Sequence, residues 1–371
     1  MTAAAEHLDL GIDGLAIVDA SAWAPGTWDE LALRSDMGEA FQSHAWGELK
    51  RGLGWKPLRY VVEQNGRAVA AVFIQERQAA RRLPGPLGRL VIQYAPRGPI
   101  LLQATPESAV AALKALRFVA RRRHALALTV DPAWEEGSEL GAALQAAGFR
   151  PAPREIQVSR TAMIVPVAPT DEAQHALLGD GTARNVNKAR RAGAVVERVD
   201  LTQAAVREPA LEEFFEMHAA TGRREGFLVR DRDYELEQWR RLGEANAASL
   251  WFASVNGNRG NGVLLLHCGR LLVSYAAGSR DDAELRQTRA NHLLQWSILR
   301  WAASAGFSGY DLGGVDNHAH PGFPRDGSDP MWNLFEFKRG WGAKPVMRVR
   351  AHEYSPHASL GTAWWLARRV R

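Results

Sequence analysis

Two stretches that lie far apart in the chain show the same pattern of apolar and polar positions. Residues 59–74 contain two runs of apolar and β-branched side chains, separated by Asn65-Gly66. Residues 250–267 repeat this arrangement around Asn256-Gly257 and a short polar loop. An Asn-Gly pair between such runs predicts a β-hairpin, because both residues of the turn adopt positive φ. The sequence therefore predicts two hairpins.

The segments that follow each hairpin are also alike. Each hairpin is followed by an apolar strand, an amphipathic helix and a second strand. These segments are 90–94, near 106–122 and 125–130 in the first copy, and 271–275, near 282–305 and 309–312 in the second. Thr105 precedes Pro106 as a predicted helix N-cap. The repeat predicts two α+β units with the layout of GNAT-type acyltransferases.

The length and the proline content locate the boundary between these units. A chain of 371 residues exceeds what one hydrophobic core usually serves. Pro151-Ala152-Pro153 closes the first unit. We therefore expect one domain over residues 1–155 and a second over residues 156–345.

Composition favours a cytoplasmic protein with a phosphate-bearing partner. Apolar residues make up 46% of the chain and charged residues 23%, and no apolar run reaches the roughly 18 residues of a membrane span. Cys268 is the single cysteine, and no secretory signal is evident. The net charge of +5 comes largely from arginine, and residues 184–191 hold four cations. A nucleotide, a tRNA or an anionic membrane surface fits this charge, and so does mere solubility.

Five strings, in this order along the chain, resemble motifs of the FemABX family, the peptidoglycan interpeptide-bridge aminoacyltransferases. They are FQSHAWGELK at 41–50, YAPRGP at 94–99, RNVNKA at 184–189, YDLGG at 310–314 and FEFKRGWG at 335–342.

The resemblance implies a fold, an activity and partners. The fold would be α+β with two tandem GNAT-like domains, and the tail 346–371 would pack back on the first. The enzyme would transfer an amino acid from aminoacyl-tRNA to the stem peptide of a UDP-linked or lipid-linked peptidoglycan precursor. The tRNA is a co-substrate, and no further cofactor or metal is expected. Residues 191–211 leave no room for the coiled-coil arm of some members, which favours the armless form.

Two residues are candidates for catalysis. By resemblance, Lys338 lies beside the reaction centre and the diphosphate of the acceptor, where an ammonium stabilises an oxyanion or a phosphate. From the pattern alone, Lys338 also fits a solvated surface lysine. Asp131, at a strand end before Pro132, is a candidate general base. An ordinary turn aspartate fits the same position, and water or the terminal ribose of the tRNA could take the proton instead.

Four further residues are predicted to bind substrate. By resemblance, Lys50 contacts the phosphates of the nucleotide-sugar, and Arg230 with Tyr234 holds the uridine diphosphate part, with Arg223 or Arg224 as alternatives to Arg230. Tyr275 ends a strand of the second domain, where its hydroxyl could reach a cleft. The alternatives are an exposed lysine on Trp46, a salt-bridged helix start and simple core packing.

Two other functions fit the sequence, and the roles of a histidine pair and of the C-terminal tryptophans have alternatives. An acyl-CoA-dependent N-acyltransferase would need a glycine-rich turn opening a helix, and residues 286–291 lack glycine. A non-enzymatic module that binds tRNA or membrane is a third hypothesis. The pair His318 and His320 fits a structured loop better than a metal site. Trp364 and Trp365, near three arginines, suit either a transient contact with the inner membrane surface or packing on the first domain.

Overall fold

The polypeptide divides into two units after Arg160. The computed structural model describes residues 7–12, 14–33, 35, 39–79 and 88–370. The first unit comprises Met1–Arg160 and Met347–Arg371, and the second comprises Thr161–Val346. The sequence analysis set this boundary after residue 155.

The first unit is a mixed sheet with helices. Its strands are β1 (His7–Asp9), β2 (Leu15–Asp19), β3 (Lys56–Gln64), β4 (Arg67–Gln78), β5 (Val91–Ala95), β6 (Ile100–Leu101), β7 (Ala125–Val130), β8 (Arg150–Pro151) and β16 (His352–Tyr354). Its helices are α1 (Pro25–Leu33), α2 (His44–Gly52), α3 (Pro106–Arg122), α4 (Glu139–Ala146) and α12 (Ala358–Val370), with a 3-10 turn at Ala40–Gln42.

The predicted hairpin and crossover are present in this unit. The strand order is β1-β2-β3-β4-β5-β7-β16-β8, with β6 beside β4. Asn65 and Gly66 turn β3 into β4 with φ of 51° and 74°. Helix α3 crosses between β5 and β7, which pair in parallel. The Thr105 hydroxyl accepts from the Ser108 amide at 3.2 Å, the predicted cap.

The C-terminal tail completes the sheet of the first unit. Strand β16 pairs antiparallel with both β7 and β8. In helix α12, the Trp365 indole donates to the Pro151 carbonyl at 3.1 Å, and Arg368 donates to Glu353 at 2.8 Å. The Glu353 side chain is fully buried. These contacts hold the tail against the unit, and they give Trp365 a packing role.

The second unit repeats the plan. Its strands are β9 (Thr161–Pro166), β10 (Val195–Val199), β11 (Ala248–Val255), β12 (Asn258–Cys268), β13 (Leu271–Ser279), β14 (Gly309–Asp311) and β15 (Lys344–Met347). Its helices are α5 (Asp171–His175), α6 (Asp180–Arg191), α7 (Ala204–Glu225), α8 (Arg232–Glu244), α9 (Ala283–Thr288), α10 (Ala290–Ser304) and α11 (Trp332–Arg339).

Topology supports an internal duplication. The second sheet runs β10-β11-β12-β13-β14-β9-β15. Asn256 and Gly257 make its hairpin turn with φ of 52° and 78°. Strands β13 and β14 pair in parallel, as β5 and β7 do. The order β11-β12-β13-β14 therefore matches β3-β4-β5-β7, and the prediction of two GNAT-like units is confirmed.

One predicted element differs. The single helix expected near residues 282–305 is divided into α9 and α10 at Arg289, whose φ is 62°. A left-handed residue interrupts the helical hydrogen bonds, and arginine gives no sequence signal for this conformation. Within the described ranges, no helix combines the length and apolar character that crossing a bilayer requires.

Candidate active site

Lys338 lies in the last turn of α11 and points into the second unit. Its side chain is buried, with 7% of the residue exposed, so the surface-lysine alternative is wrong. The ammonium donates to the carbonyl of Gly313 at 3.0 Å and to that of Gly314 at 2.7 Å. Gly313 has φ of +81°, and a Cβ there would stand 3.6 Å from Lys338 Nζ. Glycine therefore allows this tight turn after β14.

Burial and two nearby carboxylates have opposite effects on the pKa of Lys338. Burial lowers the pKa of Lys338 from 10.5 to about 8, while Asp311 and Asp316 act to raise it. At neutral pH the ammonium form therefore still dominates. An ammonium has three N–H donors. Described residues supply acceptors for two of them, which leaves one donor for a substrate oxygen.

Asp311 and Asp316 are themselves fixed by the same turn. Asp311 accepts from the Gly313 amide at 2.8 Å. Asp316 accepts from both the amide and the hydroxyl of Thr161, at 3.1 and 2.5 Å. The segment after β14 is thus a rigid loop that carries the acceptors and the counter-charges of Lys338.

Tyr275 lies on β13, close to this loop. The residue before Tyr275, Ser274, lies next to the turn at Gly313. Its carbonyl oxygen would be 3.8 Å from a Cβ placed on Gly313. The Tyr275 hydroxyl accepts from the Gln238 amide at 2.5 Å. Burial, together with nearby Glu235, raises the pKa of Tyr275, so the hydroxyl is neutral and can donate a hydrogen bond.

Arg230 and Tyr234 adjoin Tyr275. The Arg230 guanidinium lies 5.4 Å from the centre of the Tyr234 ring, a cation–π contact. Tyr234 is in the first turn of α8, where Asp231 caps the amides of Asp233 and Tyr234. Both Arg230 and Tyr234 act on the pKa of Tyr275 electrostatically. The structure thus brings three predicted residues together.

Asp131 follows β7 in the first unit and is engaged on both oxygens. It accepts from the Tyr94 hydroxyl at 2.8 Å and from the Arg97 amide at 2.7 Å. Burial raises the pKa of Asp131, and the Arg97 charge opposes that shift. Arg97 has φ of 53°. The carboxylate therefore holds the turn at Arg97, and its predicted role as general base stays a prediction.

Lys50 lies on α2 of the first unit. Its ammonium stands 4.4 Å from the centre of the Trp46 ring. Trp46 is buried, and Ser43 caps the helix by accepting from the Trp46 amide. The predicted stacking of Lys50 on Trp46 is confirmed, and its contact with substrate phosphate stays a prediction.

The loop with two histidines is ordered by a side-chain cap. The Asn317 side-chain oxygen accepts from the amides of Ala319 and His320, each at 2.9 Å. His318 and His320 are both exposed. Among the residues described, no three or more His, Cys, Asp or Glu side chains form a group able to hold a metal.

One polar residue beside Tyr275 was not predicted from the sequence. Gln238 is 1% exposed, and its side-chain oxygen has no hydrogen-bond partner among the described residues. It follows Tyr234 by four positions, so both lie on one face of α8. That spacing was the available signal, but a glutamine on a polar helix is ordinarily solvated.

Comparison with known proteins agrees with this fold. The model of the acetyltransferase (GNAT) domain family matches residues 181–323. The lipid II:glycine glycyltransferase of Staphylococcus aureus strain MRSA252 is 23% identical over 405 aligned positions, which cover 88% of this chain and 90% of the relative. The same enzyme from strain NCTC 8325 is 23% identical and covers 85% and 88%.

Solved structures show the same arrangement. The crystal structure of FemX has a TM-score of 0.76 at 20% identity, covering 92% of this chain and 98% of that one. The C-terminal domain of a putative lysylphosphatidylglycerol synthetase from Agrobacterium fabrum has a TM-score of 0.51 at 16% identity, covering 91% and 96%. Taken with the duplicated fold and the order of the motifs, these likenesses support the resemblance of the chain to the FemABX aminoacyltransferases.

Proposed function

We propose that this protein transfers an amino acid from an aminoacyl-tRNA to the stem peptide of a lipid-linked peptidoglycan precursor. The amine of the stem attacks the ester carbonyl, the new amide forms, and the ribose hydroxyl leaves. The reaction takes place in the cytoplasm at the inner face of the membrane, where a charged tRNA and a lipid-linked acceptor can meet. The S. aureus relatives are named for glycyl transfer to lipid II, which supports this class of acceptor.

The observation that carries the proposal is the environment of Lys338. Acyl transfer from an ester builds negative charge on the carbonyl oxygen, and a preorganised donor in a water-poor site stabilises that charge. Lys338 is a buried ammonium whose position two backbone carbonyls fix. Because these contacts exist before substrate binds, no reorganisation is needed at the moment of reaction.

The residues around Tyr275 supply contacts to the acceptor. Arg230 offers a planar guanidinium, which suits phosphate oxygens. Tyr275 offers a neutral hydroxyl, and Gln238 offers a buried carbonyl oxygen that has no partner among the described residues. A diphosphate linked to a sugar presents acceptors and donors that match this set. We assign these residues, with Lys50, to acceptor binding and Lys338 to the developing oxyanion.

An acyl-CoA-dependent acyltransferase is the second candidate, because the matching family model is a GNAT acetyltransferase domain. CoA pyrophosphate binding uses consecutive backbone amides of a glycine-rich turn. Here the connection from β13 forms α9, and Arg289 precedes α10. The Thr288 hydroxyl accepts from the Ala290 amide at 3.3 Å. The Thr288 hydroxyl therefore occupies one of the backbone amides that would otherwise be available to bind a CoA pyrophosphate.

A transfer assay with two donors tests the proposal. The purified protein is incubated with a lipid-linked precursor and either a pool of charged tRNAs or acetyl-CoA, and the product is analysed by mass spectrometry. We expect the stem to gain the mass of an amino-acid residue with the tRNA pool, and ribonuclease treatment of the pool to abolish the gain. Acetylation by acetyl-CoA, with no product from charged tRNA, would contradict the proposal and favour the second candidate.

A further inference from the structure

Helix α6 carries a row of cations without counter-ions. Arg184, Lys188, Arg190 and Arg191 are all exposed, and Asp180 is the single acidic residue of the helix. Among the described side chains, no carboxylate lies within ion-pair distance of any of these four cations. A helical spacing of four and three places Arg184, Lys188 and Arg191 on one face, and this set is called the α6 stripe below.

On the next two helices along the chain, α7 and α8, most arginines have an acidic partner. Of the six arginines on α7 and α8, five form ion pairs with glutamates. They are Arg207, Arg224, Arg232, Arg240 and Arg241. On these two helices an arginine therefore usually has an acidic partner within the fold. The α6 stripe is an exception that leaves its charge available to an external anion.

The first turn of α6 contacts the end of the helix that carries Lys338. The Gly179 amide donates to the Gly340 carbonyl at 2.9 Å. A Cβ on Gly340 would lie 2.5 Å from the Thr182 hydroxyl, so the two helices meet closely. The stripe begins two residues after Thr182, and its first and last members are separated by about 10 Å along the helix axis.

We propose that the α6 stripe binds the sugar-phosphate backbone of the RNA donor, so that the charged 3′ end reaches Lys338. This inference rests on the proposed function. A row of cations at successive helical turns suits a ligand with regularly spaced phosphates. Because the row starts next to the helix that carries Lys338, it fits a long ligand whose reacting end lies at the lysine.

An anionic membrane is a weaker fit to this helix. Interfacial helices place an apolar face into the lipid beneath their cationic face. On α6 the apolar residues Val186 and Ala189 are 3% and 0% exposed, because they pack into the core of the second unit. The helix therefore has no apolar face left to insert, and electrostatic attraction alone would hold it to lipid.

The decisive experiment measures tRNA binding against salt. The variant Arg184→Gln/Lys188→Gln/Arg191→Gln is compared with wild type and with Arg240→Gln/Arg241→Gln/Arg280→Gln, which removes the same charge from ion-paired positions. Neutralising three phosphate contacts should reduce the slope of log K against log salt by about 2. We expect this reduction, and an affinity loss of at least about tenfold at low salt, in the stripe variant. Equal affinities and slopes in both variants would overturn the proposal.

Two further measurements separate this inference from the proposed function. With full-length charged tRNA, the stripe variant should show a raised KM. With an aminoacylated adenosine, which has no phosphate for the stripe to bind, its kinetics should equal those of wild type. If the stripe variant lost the same activity with both donors, the assignment of the stripe to RNA would be overturned. It would also be overturned if the variant lost binding to phosphatidylglycerol vesicles while its binding of tRNA stayed intact. If wild type bound tRNA through the stripe but transferred nothing, the proposed function would fail while the stripe assignment stood.

Discussion

Replacing Lys338 by methionine removes the cation and keeps the length of the side chain. If the ammonium donates to charge that grows in the transition state, the loss should fall on kcat more than on KM. Removal of one such donor typically costs about 2.7–4 kcal/mol, a fall in kcat on the order of 10²–10³. A lysine that only bound ground-state phosphate would instead raise KM and leave kcat unchanged.

The structure adds a stability cost to this change. In Lys338→Met the carbonyls of Gly313 and Gly314 lose their donor, and a buried acceptor left unpaired costs about 1–3 kcal/mol. Asp311 and Asp316 also lose a nearby positive charge. Thermal unfolding must therefore accompany the kinetics. The variant Lys338→Arg, which keeps a cation, separates the loss of charge from the loss of packing.

The direction in which kcat changes with pH tests the role of the Lys338 ammonium. The pKa of Lys338 is lowered to about 8 in the folded protein, so the ammonium is lost as pH rises through about 8. We expect the dependence of wild-type kcat on pH to include a fall above that value, and the Arg variant to lack it, since a guanidinium stays protonated. A folded Lys338→Met protein with wild-type kcat and KM would refute the assignment.

The same shift makes a prediction for stability. Between about 8 and 10.5 the unfolded chain keeps a proton on Lys338 that the folded protein has lost. Stability rises with pH wherever the unfolded state binds more protons. The unfolding free energy of wild type, measured relative to Lys338→Met, should therefore increase from pH 8 to pH 10. A flat or falling difference would contradict the burial of a titrating ammonium.

Three further substitutions test the other predicted residues. Tyr275→Phe removes a hydroxyl that bonds to Gln238, and a loss of about 1 kcal/mol in acceptor binding should raise KM about fivefold with kcat retained. Lys50→Gln should raise the KM for the acceptor about tenfold or more, because a hydrogen bond to a charged group is lost. Lys56→Gln, at an exposed lysine, is the control. Equal KM values for the two variants would show that Lys50 does not bind the acceptor. Asp131→Asn weakens the support of the Arg97 turn and should lower the unfolding free energy by about 1–3 kcal/mol. A loss of kcat without loss of stability would favour the role of general base instead.

Local physics was sufficient to predict several elements of the fold. Asn-Gly pairs need positive φ at both positions, and both predicted turns have it. The cap at Thr105 and the following proline mark the start of α3 without reference to the rest of the chain. The break at Arg289 could not be predicted, because neither glycine nor proline marks it.

The candidate site depended on contacts between distant positions. The pattern around Lys338 allowed a surface lysine, because its acceptors at Gly313 and Gly314 lie 25 and 24 positions earlier in the chain. Burial of Gln238 likewise depends on strand β13, which lies outside its helix. Sequence resemblance identified which residues to consider, and only the folded chain shows that Tyr275, Tyr234 and Arg230 form one group.

The proposed activity is the addition of an amino acid to peptidoglycan stems. The most direct test is mass spectrometry of the stem peptides from cells with the gene, without it, and with the Lys338→Met form restored in its place. We expect stems that lack one or more amino-acid residues in the deletion strain, repair by the wild-type gene and no repair by the variant. Stem peptides of identical mass in all the strains would contradict it.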